Sequence, residues 1–162
     1  MENSGDFAGK SVLITGAGGG VGTALVQLFA ARGARIVGCD LTLDAMQGDL
    51  FSARHAFDLG APETLETAAQ HIIATSGVPD IVINNAGWTR ADTFEALDEG
   101  RISTEIDVNL TSVFDCVGAI NGQARKRQLR LHLIDQFTHA FWQSGLCRSQ
   151  GGYQCFCAGA CG

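Results

Sequence analysis

Tyrosine is almost missing from this chain of 162 residues: Tyr153 is the single one. Lysine is nearly as scarce, with only Lys10 and Lys126, and the residue four places after Tyr153 is Cys157. The sequence as written therefore excludes a tyrosine–lysine pair one helical turn apart, the spacing that sets an ammonium beside a phenol and lowers its pKa from about 10. Positive charge is short as well. The formal net charge is −6, and Arg125-Lys126-Arg127 is the one basic run. That run reads as a solvated helix end, where cations favour the dipole, and the overall balance excludes a nucleic-acid surface. No apolar stretch reaches the ~20 residues of a membrane span. Residues 1–10 are acidic and polar and lack the apolar core of a signal peptide. The expected location is the cytoplasm, where thiols stay reduced.

What the chain does have is a glycine turn between two patterned segments. Residues 11–22 read SVLITGAGGGVG. The apolar run Val12 to Ile14 has the character of a strand buried on both faces. It breaks at Thr15-Gly16, and a helix is expected from about Gly20, with Val21, Leu25, Leu28 and Phe29 on one face. Strand, glycine turn and helix N-terminus together aim free backbone N–H groups and the positive end of a dipole at an anion. The usual anion in that setting is the diphosphate of a dinucleotide. Gly16, Gly20 and Gly22 are spaced Gly-x3-Gly-x-Gly, which differs from the common Gly-x-Gly-x-x-Gly fingerprint.

The rest of the first 127 residues alternates strand and helix. Residues 35–40 (RIVGCD) predict a second strand ending in a carboxylate. Asp40 lies about 20 residues past the turn, where an acid can accept from both ribose hydroxyls and repel a 2′-phosphate, favouring NAD over NADP. A turn-forming aspartate at a strand end is the alternative. Residues 54–59 predict a third strand closing on Asp58-Leu59. A helix follows, with Pro62 and Glu63 in its first turn and Leu65, Ala69 and Ile72 facing inward. Residues 80–83 predict a fourth strand closing on Asn84-Asn85-Ala86-Gly87. A longer helix is expected from about Thr104 to Ala124, burying Ile106, Leu110, Val113, Phe114 and Val117. Such alternation specifies an α/β fold, a Rossmann-like doubly wound parallel sheet with helices on both faces, and ligands there bind beyond the carboxyl ends of the strands.

Four elements occur in order: Thr15-Gly16-x3-Gly20-x-Gly22, Asp58-Leu59, Asn84-Asn85-Ala86-Gly87 and Asp107-Val108-Asn109. Together they resemble the short-chain dehydrogenase/reductase family over about residues 8–127. The resemblance implies an oxidoreductase moving a hydride between a nicotinamide cofactor, NAD, and a small alcohol or ketone. It implies that Gly16, Gly20 and Gly22 cradle the diphosphate, that Asp40 holds the adenine ribose, that Asp58 meets the adenine, and that Thr15, Val21 and Leu59 belong to the same cofactor site. Asn85, Ala86 and Gly87 would line the cofactor, and Asn109 would be the asparagine of an Asn-Ser-Tyr-Lys tetrad, organising a water beside the lysine. A helix-face amide bound to backbone or water is the other reading of Asn109. The family also offers a homo-oligomer in which the long helix packs on its twin.

The pattern departs from the family after residue 127, so residues 1–127 read as the dinucleotide-binding domain and 128–162 as an atypical tail. The expected fifth strand, residues 129–135 (LRLHLID), carries Arg130 and His132 and does not end in the family's serine pair. Residues 144–162 are dominated by Gly, Cys, Ser and Arg. Those four are the amino acids whose codons can end in GC, which is how an alanine-rich helix written in GCN codons looks one base out of phase. Moving each codon of 146–150 forward by one base permits Tyr-Ala-Ala-Ala-Lys, and the same shift permits Ile-Ser-Ser at 132–134. A displaced reading frame, with the acid/base pair lost from the chain as written, is the expectation. Structural zinc on Cys147, Cys155, Cys157 and Cys161, with His132 or His139, is a rival, but the spacing lacks paired Cys-x2-Cys knuckles, and no metal is expected. A non-catalytic NAD-binding module and a truncated, non-functional product are the alternative functions.

Overall fold

The computed structural model describes residues 5–89, 98–124 and 130–133. Five strands form one parallel sheet: β1 (Ser11–Thr15), β2 (Arg35–Asp40), β3 (Phe51–Ala56), β4 (Ile81–Asn84) and β5 (Arg130–Leu133), in the order β3-β2-β1-β4-β5. β1 is central, and all five of its residues are buried, which is why that stretch is apolar without alternation. At the amino end of the sheet Asp80 fixes the β1–β4 register. Its carboxylate accepts the Ser11 N–H at 2.9 Å, its own N–H donates to the Ser11 carbonyl at 2.9 Å, and Lys10 Nζ lies 3.7 Å away.

Helices cover both faces, as the sequence pattern implied. On one side α1 (Gly20–Ala31) packs Val26 against Val12, Ile14, Ile36, Ile81 and Ile83, with Met46 completing the cluster. On the other side α2 (Pro62–Ser76) and the last helix pack Ala69, Ile72, Cys116 and Ile120 on Leu13, Val37, Cys39 and Val82. The α2 stripe Leu65, Ala69 and Ile72 and the proline start are as expected. Two expectations change here. β3 spans Phe51–Ala56 rather than 54–59, so Asp58-Leu59 lie in the turn that leads to α2. In α1 the inward stripe is Gly22 and Val26, with Leu25 and Phe29 half-buried, while Val21 and Leu28 are exposed. A glycine that packs closely contributes nothing to a hydrophobic pattern, so the phase of the stripe was read one residue early.

The long helix starts at Glu99, where the Asp98 carboxylate accepts the Arg101 N–H at 2.9 Å as an N-cap. It runs as α3 (Glu99–Ile106), a π-helical turn (Asp107–Thr111) and α4 (Ser112–Ala124). The wider turn resets the facing of everything after it. Ser112, Val113, Cys116 and Ile120 point inward, whereas Ile106, Leu110 and Phe114, expected in the core, are exposed, Phe114 by 68%. The side chain of Val117 lies outside the described residues.

Candidate functional site

The carboxyl ends of β1, β2 and β4 open onto a cleft of about 540 Å³. It is lined by Thr15, Gly16, Gly20, Val21, Gly22, Asp40, Asp58, Leu59, Asn85, Ala86 and Gly87, so residues singled out from four separate stretches of sequence share one cavity. Gly19, Cys39, Leu41, Phe57, Trp88 and Val108 complete the lining. Most of these additions flank the motif residues: Leu41 follows Asp40, Phe57 precedes Asp58, Trp88 follows Gly87. Extending each motif by one residue would have found them.

The turn after β1 is built by backbone constraints. Gly16 has φ of 64°, and a Cβ there would come within 2.9 Å of the Ala86 Cα, so glycine meets both a left-handed backbone and a close approach. A Cβ on Gly22 would overlap the Gly16 carbonyl oxygen, so the helix can start that close to the turn only with glycine. Gly20 differs: no atom lies within 4 Å of the position its Cβ would take. That side of the helix start is open space. The N–H groups of Gly20, Val21 and Gly22 have no acceptor within a helix that begins at Gly20, and no side chain caps them. Open volume, uncapped N–H groups and a dipole end fit a diphosphate.

Thr15 and Asn85 close the seam between β1 and β4. The Thr15 hydroxyl accepts the N–H of Asn85 at 3.1 Å and of Ala86 at 3.0 Å, and donates to the Ile83 carbonyl at 3.5 Å. The Asn85 amide nitrogen donates to the carbonyls of Thr15 at 3.0 Å and Gly16 at 3.1 Å. Asp40 does the corresponding work from β2: one carboxylate oxygen accepts the Gly18 N–H at 2.8 Å, the other the Leu41 N–H at 2.8 Å. Asp58 accepts the Gly60 N–H at 2.8 Å, fixing the turn before α2. Cys39 lines the floor of the cleft, and burial pushes its thiol well above the usual range, with Cys116 and Asp40 nearby adding to the rise. Burial also raises Cys116, to about 11. Both thiols are free and stay protonated near neutral pH.

Asn109 sits in the π-helical turn outside the cleft lining, where its neighbour Val108 takes part. Its amide is committed to the backbone of Trp88: Oδ1 accepts the Trp88 N–H at 2.8 Å, and Nδ2 donates to the Trp88 carbonyl at 2.6 Å. Among the described residues no group of three or more His, Cys, Asp or Glu could hold a metal ion. The cysteines from Cys147 onward, His139, Tyr153 and positions 146–150 lie outside the described residues.

A parallel sheet in this order, with a glycine turn and a helix start at the point where the connections change direction, defines a nucleotide-binding α/β domain. Comparison with known proteins narrows this. The family model for short chain dehydrogenases matches residues 10–128, and the chain belongs to the short-chain dehydrogenase/reductase family. It is 34% identical over 133 residues to the 3-oxoacyl-(acyl-carrier-protein) reductase FabG of Vibrio cholerae serotype O1, a match covering 78% of this chain and 54% of that protein. It is 32% identical over 135 residues to the FabG of Escherichia coli K12, covering 80% and 55%. An uncharacterized oxidoreductase of Schizosaccharomyces pombe is 38% identical over 102 residues, covering 63% and 38%. The chain thus spans about half the length of the first two relatives. It is related to oxidoreductases, and no helix among its described residues is long and apolar enough to cross a membrane.

Proposed function

We propose that this chain is the cofactor-holding part of an NAD-dependent oxidoreductase acting on a small alcohol/ketone pair. The observation that carries this reading is the meeting of candidate residues from four separate stretches of sequence in one cleft with an open helix N-terminus. Gly16, Gly20 and Gly22 hold the diphosphate, Asp40 the adenine ribose, and Asp58 and Leu59 border the adenine. Asn85, Ala86 and Gly87 border the nicotinamide half, which supplies the hydride chemistry when bound. Preference for NAD over NADP rests on charge. Asp40 stands at the ribose position, and neither Lys nor Arg is among the cleft-lining residues, so a 2′-phosphate would meet an anion with no cation to offset it. The cytoplasm is the proposed location, in keeping with the free thiols of Cys39 and Cys116.

For the acid/base pair we infer a displaced reading frame from about residue 128. Leu133 is in register with Asn84, so a serine that the shifted frame permits at 133 would fall at the carboxyl end of the sheet. The proposed partner is a second copy of this chain. The support is an apolar stripe at successive four-residue steps, Ile102, Ile106, Leu110 and Phe114, all exposed.

Calorimetry tests the cofactor reading. NAD or NADH should bind, and NADP at least tenfold more weakly; folded protein that ignores all of them defeats the proposal. The chain as written should give no NADH with secondary alcohols. A gene corrected by one base between codons 124 and 130 should restore both Tyr-x3-Lys and turnover. A confirmed frame with binding and no turnover would favour a non-catalytic NAD-binding module.

A further inference from the structure

The glycine turn is gripped from both of β1's neighbours. From β4, the Asn85 amide takes the Gly16 carbonyl. From β2, the Asp40 carboxylate takes the Gly18 N–H at 2.8 Å, and the same strand's Cys39 carbonyl accepts the Ala17 N–H at 3.1 Å. The connection that follows β2 adds a wall. Its short 3-10 turn, Leu43–Ala45, brings the Ala45 carbonyl to where a Cβ on Gly18 would sit, and Met46 is buried in the core behind it. Gly18 is therefore held by a hydrogen bond on one side and by contact on the other. Gly20 and the first N–H groups of α1 follow immediately, and no side chain caps them.

We propose that Asp40 is a positioning residue for the diphosphate end of the cofactor, beyond the ribose contact already assigned to it. This rests on the cofactor reading above. A carboxylate has about four lone-pair sites. Two are used on Gly18 and Leu41, and the remaining two are free for ribose hydroxyls. One side chain thus joins ribose recognition to the shape of the turn that presents the α1 N–H groups. Replacing Asp40 to admit a 2′-phosphate would release Gly18, so the exchange would loosen the grip on every dinucleotide, with or without that phosphate.

The test is a ligand-and-variant cycle by calorimetry. The ligands are NAD and an NAD analogue lacking both hydroxyls of the adenosine ribose. The proteins are wild type, Asp40→Ala and Asp40→Asn, with thermal melts run alongside. If Asp40 acted only on the hydroxyls, Asp40→Ala would leave analogue affinity unchanged. The expected result is a loss of roughly fivefold to tenfold for the analogue, the size of one ordinary net hydrogen bond. Asp40→Asn, which keeps an oxygen for the Gly18 N–H, should recover most of it. In ligand-free protein the Gly18 amide resonance should move in Asp40→Ala and much less in Asp40→Asn. Unchanged analogue affinity in Asp40→Ala overturns the proposal, as does Asp40→Asn binding the analogue no better than Asp40→Ala. Wild-type protein that binds neither ligand overturns the cofactor reading itself, and this inference with it.

Discussion

At the scale of single residues, Thr15 does the most with the fewest atoms. Its hydroxyl has one proton and two lone pairs, and the structure uses all three on the end of β4 and the two residues that follow it. Thr15→Val keeps the shape and strands two N–H groups, at about 1–3 kcal/mol each when buried. We expect the melting temperature to fall on the order of 5–10 °C, with Thr15→Ser close to wild type. A Thr15→Val protein that melts like wild type would show that the hydroxyl is not holding the seam. This role was invisible in the sequence, because the partners of Thr15 lie about 70 residues away. Gly16 and Asp40 are legible because a glycine turn and a carboxylate at a strand end are local signals, although the contacts they make to Ala86 and Gly18 are not. Phe57 and Trp88 join the cleft as chain neighbours of Asp58 and Gly87, and Val108 lies within the Asp107-Val108-Asn109 motif.

At the scale of elements, β1, β2, β4 and the inward face of α2 are legible in the sequence, whereas β3 lies three residues earlier than its pattern predicts and the faces of α1 and the long helix differ from expectation. A buried parallel strand announces itself by continuous apolar character, as in β1 and β4. A helix must be assigned a phase, and the π-helical turn at Asp107–Thr111 breaks the phase between α3 and α4. The apolar positions of this helix therefore divide into an inner set, with Val113 and Ile120, and an outer set, with Leu110 and Phe114. The outer set has a measurable consequence. Sedimentation should show wild-type protein as a dimer or larger, and Leu110→Glu with Phe114→Glu should yield folded monomers that still bind NAD. Wild-type protein that is monomeric at calorimetric concentrations removes the second copy from the proposal.

At the scale of the whole molecule, alternation of strand and helix was enough to specify the sheet, because a parallel pair needs a crossover and crossovers keep one hand. The change in residue usage after position 127 marks the expected division between the patterned part and the tail; the family model matches residues 10–128. A polypeptide with a cofactor cleft and no phenol–ammonium pair should behave as a reversible binder. NAD should raise its melting temperature with concentration, as any ligand of the folded state does, while absorbance at the nicotinamide band stays flat. A melting point that ignores NAD would remove the cleft from consideration, and a rising absorbance would mean that the missing pair is not required.

The Thr15 seam and the uncapped start of α1 lie only a few residues apart along β1 and its turn, yet they place backbone protons in opposite circumstances. The amides of Asn85 and Ala86 are locked to a buried hydroxyl, so deuterium should reach them only when the whole sheet parts. Those of Gly20 and Val21 face open volume and should label within the shortest pulse. Ligand arriving at the cleft would slow the second pair by covering it and the first only through the added global stability, giving a residue-by-residue footprint of occupancy that needs no turnover at all.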